Sequence, residues 1–133
     1  MTYFADLAPY DYSPEAEPGW VAVGWLERGK EYEIGEVSPR IMEDLTNLAY
    51  LGEGQTRGRH YCDLCDEPAE HWARSPRFSS RFRLGSAEIR VTREGGGVYA
   101  APDLLPHYIE EHLYCPPQEF LDAVLAESAR RWG

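Results

Sequence analysis

The stretch Ala87-Glu88-Ile89-Arg90-Val91-Thr92-Arg93-Glu94-Gly95-Gly96-Gly97-Val98-Tyr99-Ala100-Ala101 decides the fold class. Residues 87–92 alternate strictly between polar and apolar, the period of a half-buried strand, so Ile89 and Val91 are expected to face inward. The glycines then supply a turn, and Val98–Ala101 returns as the second strand of an antiparallel hairpin. Downstream, Pro102-Asp103 opens a helix over about 103–112, with Asp103 as N-cap and Leu104, Leu105, Tyr108 and Ile109 as its apolar side. Cys115-Pro116-Pro117 ends that unit. A further helix over about 117–130 is expected to bury Phe120, Leu121, Val124 and Leu125, with Arg130 and Arg131 at the end where the helix dipole favours cations.

Upstream, Ser38-Pro39 reads as N-cap and first helical residue. Ile41, Met42, Leu45, Leu48 and Ala49 repeat on one helical face until Gly52 and Gly54 stop it. Trp20–Leu26, rich in β-branched and aromatic residues, reads as a strand. His60–Cys65 reads as a short strand running into a cysteine turn, and residues 66–85 as polar and irregular. These elements predict an α+β fold with about three helices and a short antiparallel sheet.

With 133 residues the chain is close to one domain's worth of sequence, so 1–133 is expected to be a single unit. In it, residues 1–19 form an extended arm that Tyr3, Phe4, Leu7, Tyr10 and Tyr12 pack onto a core of residues 20–133. The longest apolar run, Trp20–Leu26, is far short of the ~20 residues that cross a bilayer. The N-terminus carries neither a basic n-region nor an apolar h-region, which makes the cytoplasm the expected compartment.

The net charge of −10 is uneven: residues 1–70 hold 15 acids against 5 bases, whereas residues 71–133 hold 8 of each. Arg74, Arg77, Arg81, Arg83, Arg90 and Arg93 crowd into 71–93 with the single acid Glu88. An acidic body repels nucleic-acid phosphate and attracts basic partners. That balance predicts a protein partner, a basic one by charge, and argues against nucleic acid, although Trp72, Phe78 and Phe82 interleave the arginines as in a nucleic-acid patch.

The chemistry sits in Cys62-x2-Cys65 and His107-x4-His112. Two thiolates from a tight turn and two imidazoles are a recurrent way to fill zinc's four positions. The 41 residues between the pairs leave room for an inserted hairpin, so the order cysteine turn, hairpin, histidine helix resembles a treble-clef zinc site. Both late ligands usually sit at the helix start there. Residues five apart on a regular helix lie about 140° apart around its axis, so His107 and His112 converge only if the last turn loosens. Cys115 competes with His112 for the fourth place, and His71 and His60 are weaker rivals. A redox role for the C-x2-C pair is disfavoured by the acidic Asp66-Glu67 that follows it. The H-E-x-x-H, H-x-E…P-C-x-x-C and G-x-S-x-G signatures of known enzyme classes are absent, and Gly95–Gly97 joins two strands rather than cradling phosphate.

Taken together, Gly19-Trp20, Val23–Leu26, His60–Cys65, Gly85–Val91, Val98–Pro102 and His107-Tyr108-x3-His112-x-Tyr114-x-Pro116-Pro117-x2-Phe120 give a pattern that resembles a family of small bacterial proteins with no assigned activity. The resemblance covers most of residues 19–125 and favours Cys62, Cys65, His107 and His112 over Cys115 as the metal set. The expectation is a structural zinc in a non-enzymatic protein-binding module. An immunity-type inhibitor of a basic toxin is one alternative. A zinc-dependent hydrolase or nuclease with His107 and His112 near the metal is the other.

Overall fold

The computed structural model of the protein describes residues 2–56 and 58–133. The chain is α+β. Among the described residues it runs β1 (Val21–Ala22), α1 (Pro39–Leu51), β2 (Trp72–Ser75), β3 (Ser80–Arg83), β4 (Glu88–Thr92), β5 (Val98–Pro102), α2 (Leu105–His112) and α3 (Gln118–Trp132).

The hairpin expected from residues 87–101 forms: β4 and β5 pair antiparallel with Val91 opposite Tyr99, and Ile89 and Val91 are buried. β1 adds to the other edge of β5 in parallel, giving the order β1-β5-β4. α1 and α3 pack on β4 and on each other, so Leu45, Leu48, Phe120, Leu121 and Val124 join Ile89 and Val91 in one apolar cluster. Ser38 caps α1, its hydroxyl accepting the Ile41 N–H at 3.3 Å.

Residues near the N-terminus run beside β1. Leu7 and Ala22 N–H groups donate to the Ala22 and Ala8 carbonyls, respectively, so the arm lies along β1. Tyr10 is buried between the rings of Trp20 and Trp25, and its hydroxyl donates to the Glu88 carboxylate. Arg90 meets Glu88 at 3.0 Å and Glu15 at 3.2 Å and lies over the Trp20 ring.

Several local expectations are corrected. Strand pairing in Trp20–Leu26 is confined to Val21–Ala22, because the backbone turns away at Gly24, with φ +76°, where the N–H donates to Asp6 Oδ1. A Cβ there would meet Leu105 Cδ1 at 2.7 Å, so the position admits only glycine without repacking. His60–Cys65 is not a strand; it crosses under Gly85, whose carbonyl accepts the His60 N–H at 2.7 Å. Residues 66–85 are not irregular throughout, since β2 and β3 form a separate antiparallel hairpin. Asp103 does not cap α2. It is buried and accepts the Gly85 N–H at 2.8 Å, and the helix begins at Leu105 without a side-chain cap. Leu125 is 36% exposed rather than part of the buried stripe of α3.

Candidate metal centre

The cysteine turn is held by a residue remote in the chain. Arg28 donates from Nε to the Asp63 carbonyl at 3.1 Å and from one terminal nitrogen to the carbonyls of Leu64 and Cys65 at 3.0 and 2.9 Å. Its own N–H donates to Asp63 Oδ2 at 2.8 Å. Drawing three successive carbonyls toward one guanidinium turns the N–H groups the other way, and those of Leu64 and Cys65 approach Cys62 Sγ. These donors stabilise a thiolate. Burial outweighs them and pushes the Cys62 thiol up to about 11, so a cation is needed before it ionises near neutral pH.

α2 brings the histidines. Leu105, Tyr108 and Ile109 anchor it in the core, which turns His107 in its first turn toward the cysteines. The far end loosens as the spacing requires. Leu113 adopts a left-handed φ of 57° and donates its N–H to Tyr108 five residues back. An i→i−5 closure widens the end of the helix, which narrows the angle between residues five apart. Tyr32 fixes this end by donating its hydroxyl to the His112 carbonyl at 3.0 Å.

Cys62, Cys65, His107 and His112 thereby converge, with one donor atom from each lying within 4.8 Å of all the others. His112 Nε2 is 3.4 Å from Cys62 Sγ and 3.5 Å from Cys65 Sγ, and His107 Nε2 is 3.4 Å from Cys65 Sγ. Burial, then the neighbouring His71 and His112, lower His107 to about 4. Burial likewise lowers His112. Both imidazoles are therefore neutral at physiological pH, the form that binds metal. The four make a Cys2His2 cluster spaced to hold a metal ion.

The other candidates fall outside it. Cys115 Sγ lies against its neighbour's carbonyl, 3.7 Å from Pro116 O, and Gly35 closes over it. His60 lines a separate cavity with Asp103 and Gly85. His71 comes closest: its ring stacks on His107 at 3.6 Å between centroids, and its Nε2 is 3.8 Å from Cys65 Sγ. Cys65, His71, His107 and His112 line one side of a cleft of about 610 Å³, and the exposed Glu110 and Glu111 line it as well. Tyr108 has a buried hydroxyl without a hydrogen-bond partner among the described residues, its ionisation suppressed by burial and then by Cys62, Asp63 and Cys65. Sequence reading missed Arg28, because nothing local marks a residue 35 positions away as the holder of the turn.

Residues 2–125 match a family model described as a domain of unknown function, DUF7919. The chain belongs to the DUF7919 family. The match spans the cysteine turn, both hairpins and α2, so the whole candidate centre of this DUF7919 member lies inside the family domain. No curated protein and no solved structure matches the chain.

Proposed function

We propose that Cys62, Cys65, His107 and His112 hold a structural zinc ion, and that the chain is a metal-stapled, non-enzymatic protein-binding module. The observation that carries this reading is the donor set itself, two thiols and two neutral imidazoles converging from a turn and a helix. Zinc–sulfur and zinc–nitrogen bonds of about 2.3 and 2.0 Å put the corners of a tetrahedron roughly 3.5 Å apart. The sulfur–nitrogen separations of 3.4, 3.4 and 3.5 Å fit that figure. Soft thiolates with imidazole suit zinc over the hard cations, which take oxygen. Four protein donors fill a tetrahedron and leave no place for an activated water, which favours a structural over a catalytic role. The acidic balance of residues 1–70 supports a basic protein partner, and an immunity-type inhibitor is one form such a module takes.

The hydrolase reading has one observation in its favour: His71 and the cleft beside the cluster. X-ray absorption at the zinc edge on the metal-loaded protein separates the two. Two sulfur and two nitrogen neighbours are expected. Fewer than two sulfur neighbours, or a fifth neighbour, would support the hydrolase. Absence of stoichiometric metal, together with unchanged melting of Cys62→Ser, would remove both.

A further inference from the structure

The β2–β3 hairpin sorts part of the arginine-rich stretch 71–93 onto one face. β2 and β3 pair with Trp72 opposite Arg83 and Arg74 opposite Arg81. Strand alternation therefore sorts the hairpin into two faces. Ala73 and Phe82 pack inward against the apolar cluster, and Trp72, Arg74, Arg81 and Arg83 share the outward face. Trp72 is 46% exposed. The Arg81 and Arg83 guanidinium carbons lie 4.4 and 5.9 Å from its ring centroid. Arg83 is also paired with Glu70, but among the described residues neither Arg74 nor Arg81 has an acidic partner. Like charges directly opposite each other across a ladder destabilise it. An anion lying between Arg74 and Arg81 relieves that repulsion.

We propose that this face binds single-stranded nucleic acid, its phosphates on Arg74, Arg81 and Arg83 and a base against the exposed part of Trp72. Charge complementarity alone would admit an acidic peptide. The exposed indole among guanidiniums favours the nucleic acid, since unpaired bases stack on such a platform and carboxylates gain nothing from it. Stacking on the indole holds Arg81 flat while its N–H groups remain free to donate. Each strand of the hairpin is four residues long, about 13 Å, which matches a contact of a few nucleotides. The net charge of −10 is a weak objection at close range, because charges beyond about 8 Å are screened at physiological salt. Trp72 and Arg74 also line the cleft that Glu110 and Glu111 border, and the two acids disfavour a phosphate deeper in that cleft. The proposal does not rest on the zinc reading, although Trp72 and Arg74 share a cleft with Cys65, His107 and His112.

The test is fluorescence anisotropy of labelled 12-mer oligothymidylate and oligouridylate with the metal-loaded full chain, from low to physiological salt. Binding is expected to weaken with a log–log salt slope of about −2, the value for three phosphate contacts on a single strand. Arg74→Gln with Arg81→Gln should cut the slope to about −0.7 and weaken binding at least tenfold, with melting unchanged or raised. Arg130→Gln with Arg131→Gln removes the same charge from α3 and should leave binding intact. Addition of oligonucleotide to the unaltered protein should shift the Trp72 indole N–H resonance, a readout that needs no variant to fold. No binding at low salt, no Trp72 shift, equal loss in both double variants, or a polyglutamate peptide that binds as tightly as the oligonucleotide would each overturn the proposal, the last in favour of an acidic protein.

Discussion

Arg28 is the residue on which the centre's geometry turns. Its fork supplies hydrogen bonds to the carbonyls of Asp63, Leu64 and Cys65, and so orients both thiols although it touches neither. Partners that orient metal ligands commonly cost about 10–100-fold in affinity when removed. Arg28→Ala is therefore expected to weaken metal binding by about tenfold in a chelator competition titration. Arg28→Lys should not restore it, because an ammonium lacks the planar fork that reaches several carbonyls at once. Restoration by lysine would mean that charge, not orientation, is what Arg28 contributes. Asp103 shows a second residue-scale dependence, on pH. Burial raises its pKa to about 6, against the N–H groups of Gly85, Ala87 and Ser86, which pull it down. The folded value lies above the unfolded one, so its contribution is fully present below about pH 4 and is lost as pH rises through 6. The loss is about 3 kcal/mol at most by linkage. Asp103→Asn removes this titration. The stability of the variant relative to wild type is expected to rise between pH 4 and 7 in denaturant titrations, and a constant difference would show that Asp103 does not titrate there.

Elements that sort residues cleanly by polarity were readable from sequence. β4 alternates, α1 has a capping serine and a single apolar face, and α3 has a buried stripe that errs only at Leu125. The β2–β3 hairpin hid because its inward face is hardly apolar. Ser75 is fully buried, yet it is a serine, held by donating its hydroxyl to Asn47 Oδ1 at 2.7 Å. Ala73 and Phe82 are the only apolar inward residues, too few to carry a period of two. β1 was over-read for the opposite reason: Val21–Leu26 is buried throughout, so its composition says strand while Gly24 bends the backbone away. The convergence of Cys62, Cys65, His107 and His112 was legible from spacing. The widened end of α2 that lets His107 and His112 converge was legible only as a requirement, because it depends on the left-handed Leu113. The N-terminal arm makes a prediction at this scale. The Tyr10 hydroxyl is one of the groups that satisfy the buried Glu88 carboxylate. Tyr10→Phe keeps the stack on Trp20 and Trp25 but leaves a buried acceptor short of a donor, which costs about 1–3 kcal/mol. Lower stability with no change in metal content is the expected result. Loss of metal from this variant would mean that the arm and the centre are coupled.

For the whole molecule the question is how much of the fold a metal bound at this centre would hold. Cys65 and His107 are 42 residues apart, and the chain between them contains both hairpins. A cross-link closing a loop of that size is worth about 4 kcal/mol in the chain-entropy account, and metal binding adds to folding in the same way. The apolar cluster takes in Cys62 and α2 residues Leu105, Tyr108 and Ile109, but α1, α3, β4 and β5 supply a core of their own within it, so the metal-free chain should remain folded with a lower melting temperature. α2 is the element most exposed to the loss, since its eight residues are too few for an independent helix and it has no side-chain cap. Chelation should lower the melting temperature of the wild type by on the order of 10 °C. His107→Ala should melt close to the chelated wild type, and chelator should then change the variant little. Amide exchange should speed up across α2 and the Cys62–Cys65 turn in both, while β4 and β5 keep their protection, because local opening follows the contacts that are lost. If all four samples melt together, His107 holds no metal that matters to the fold, and the staple must be sought elsewhere.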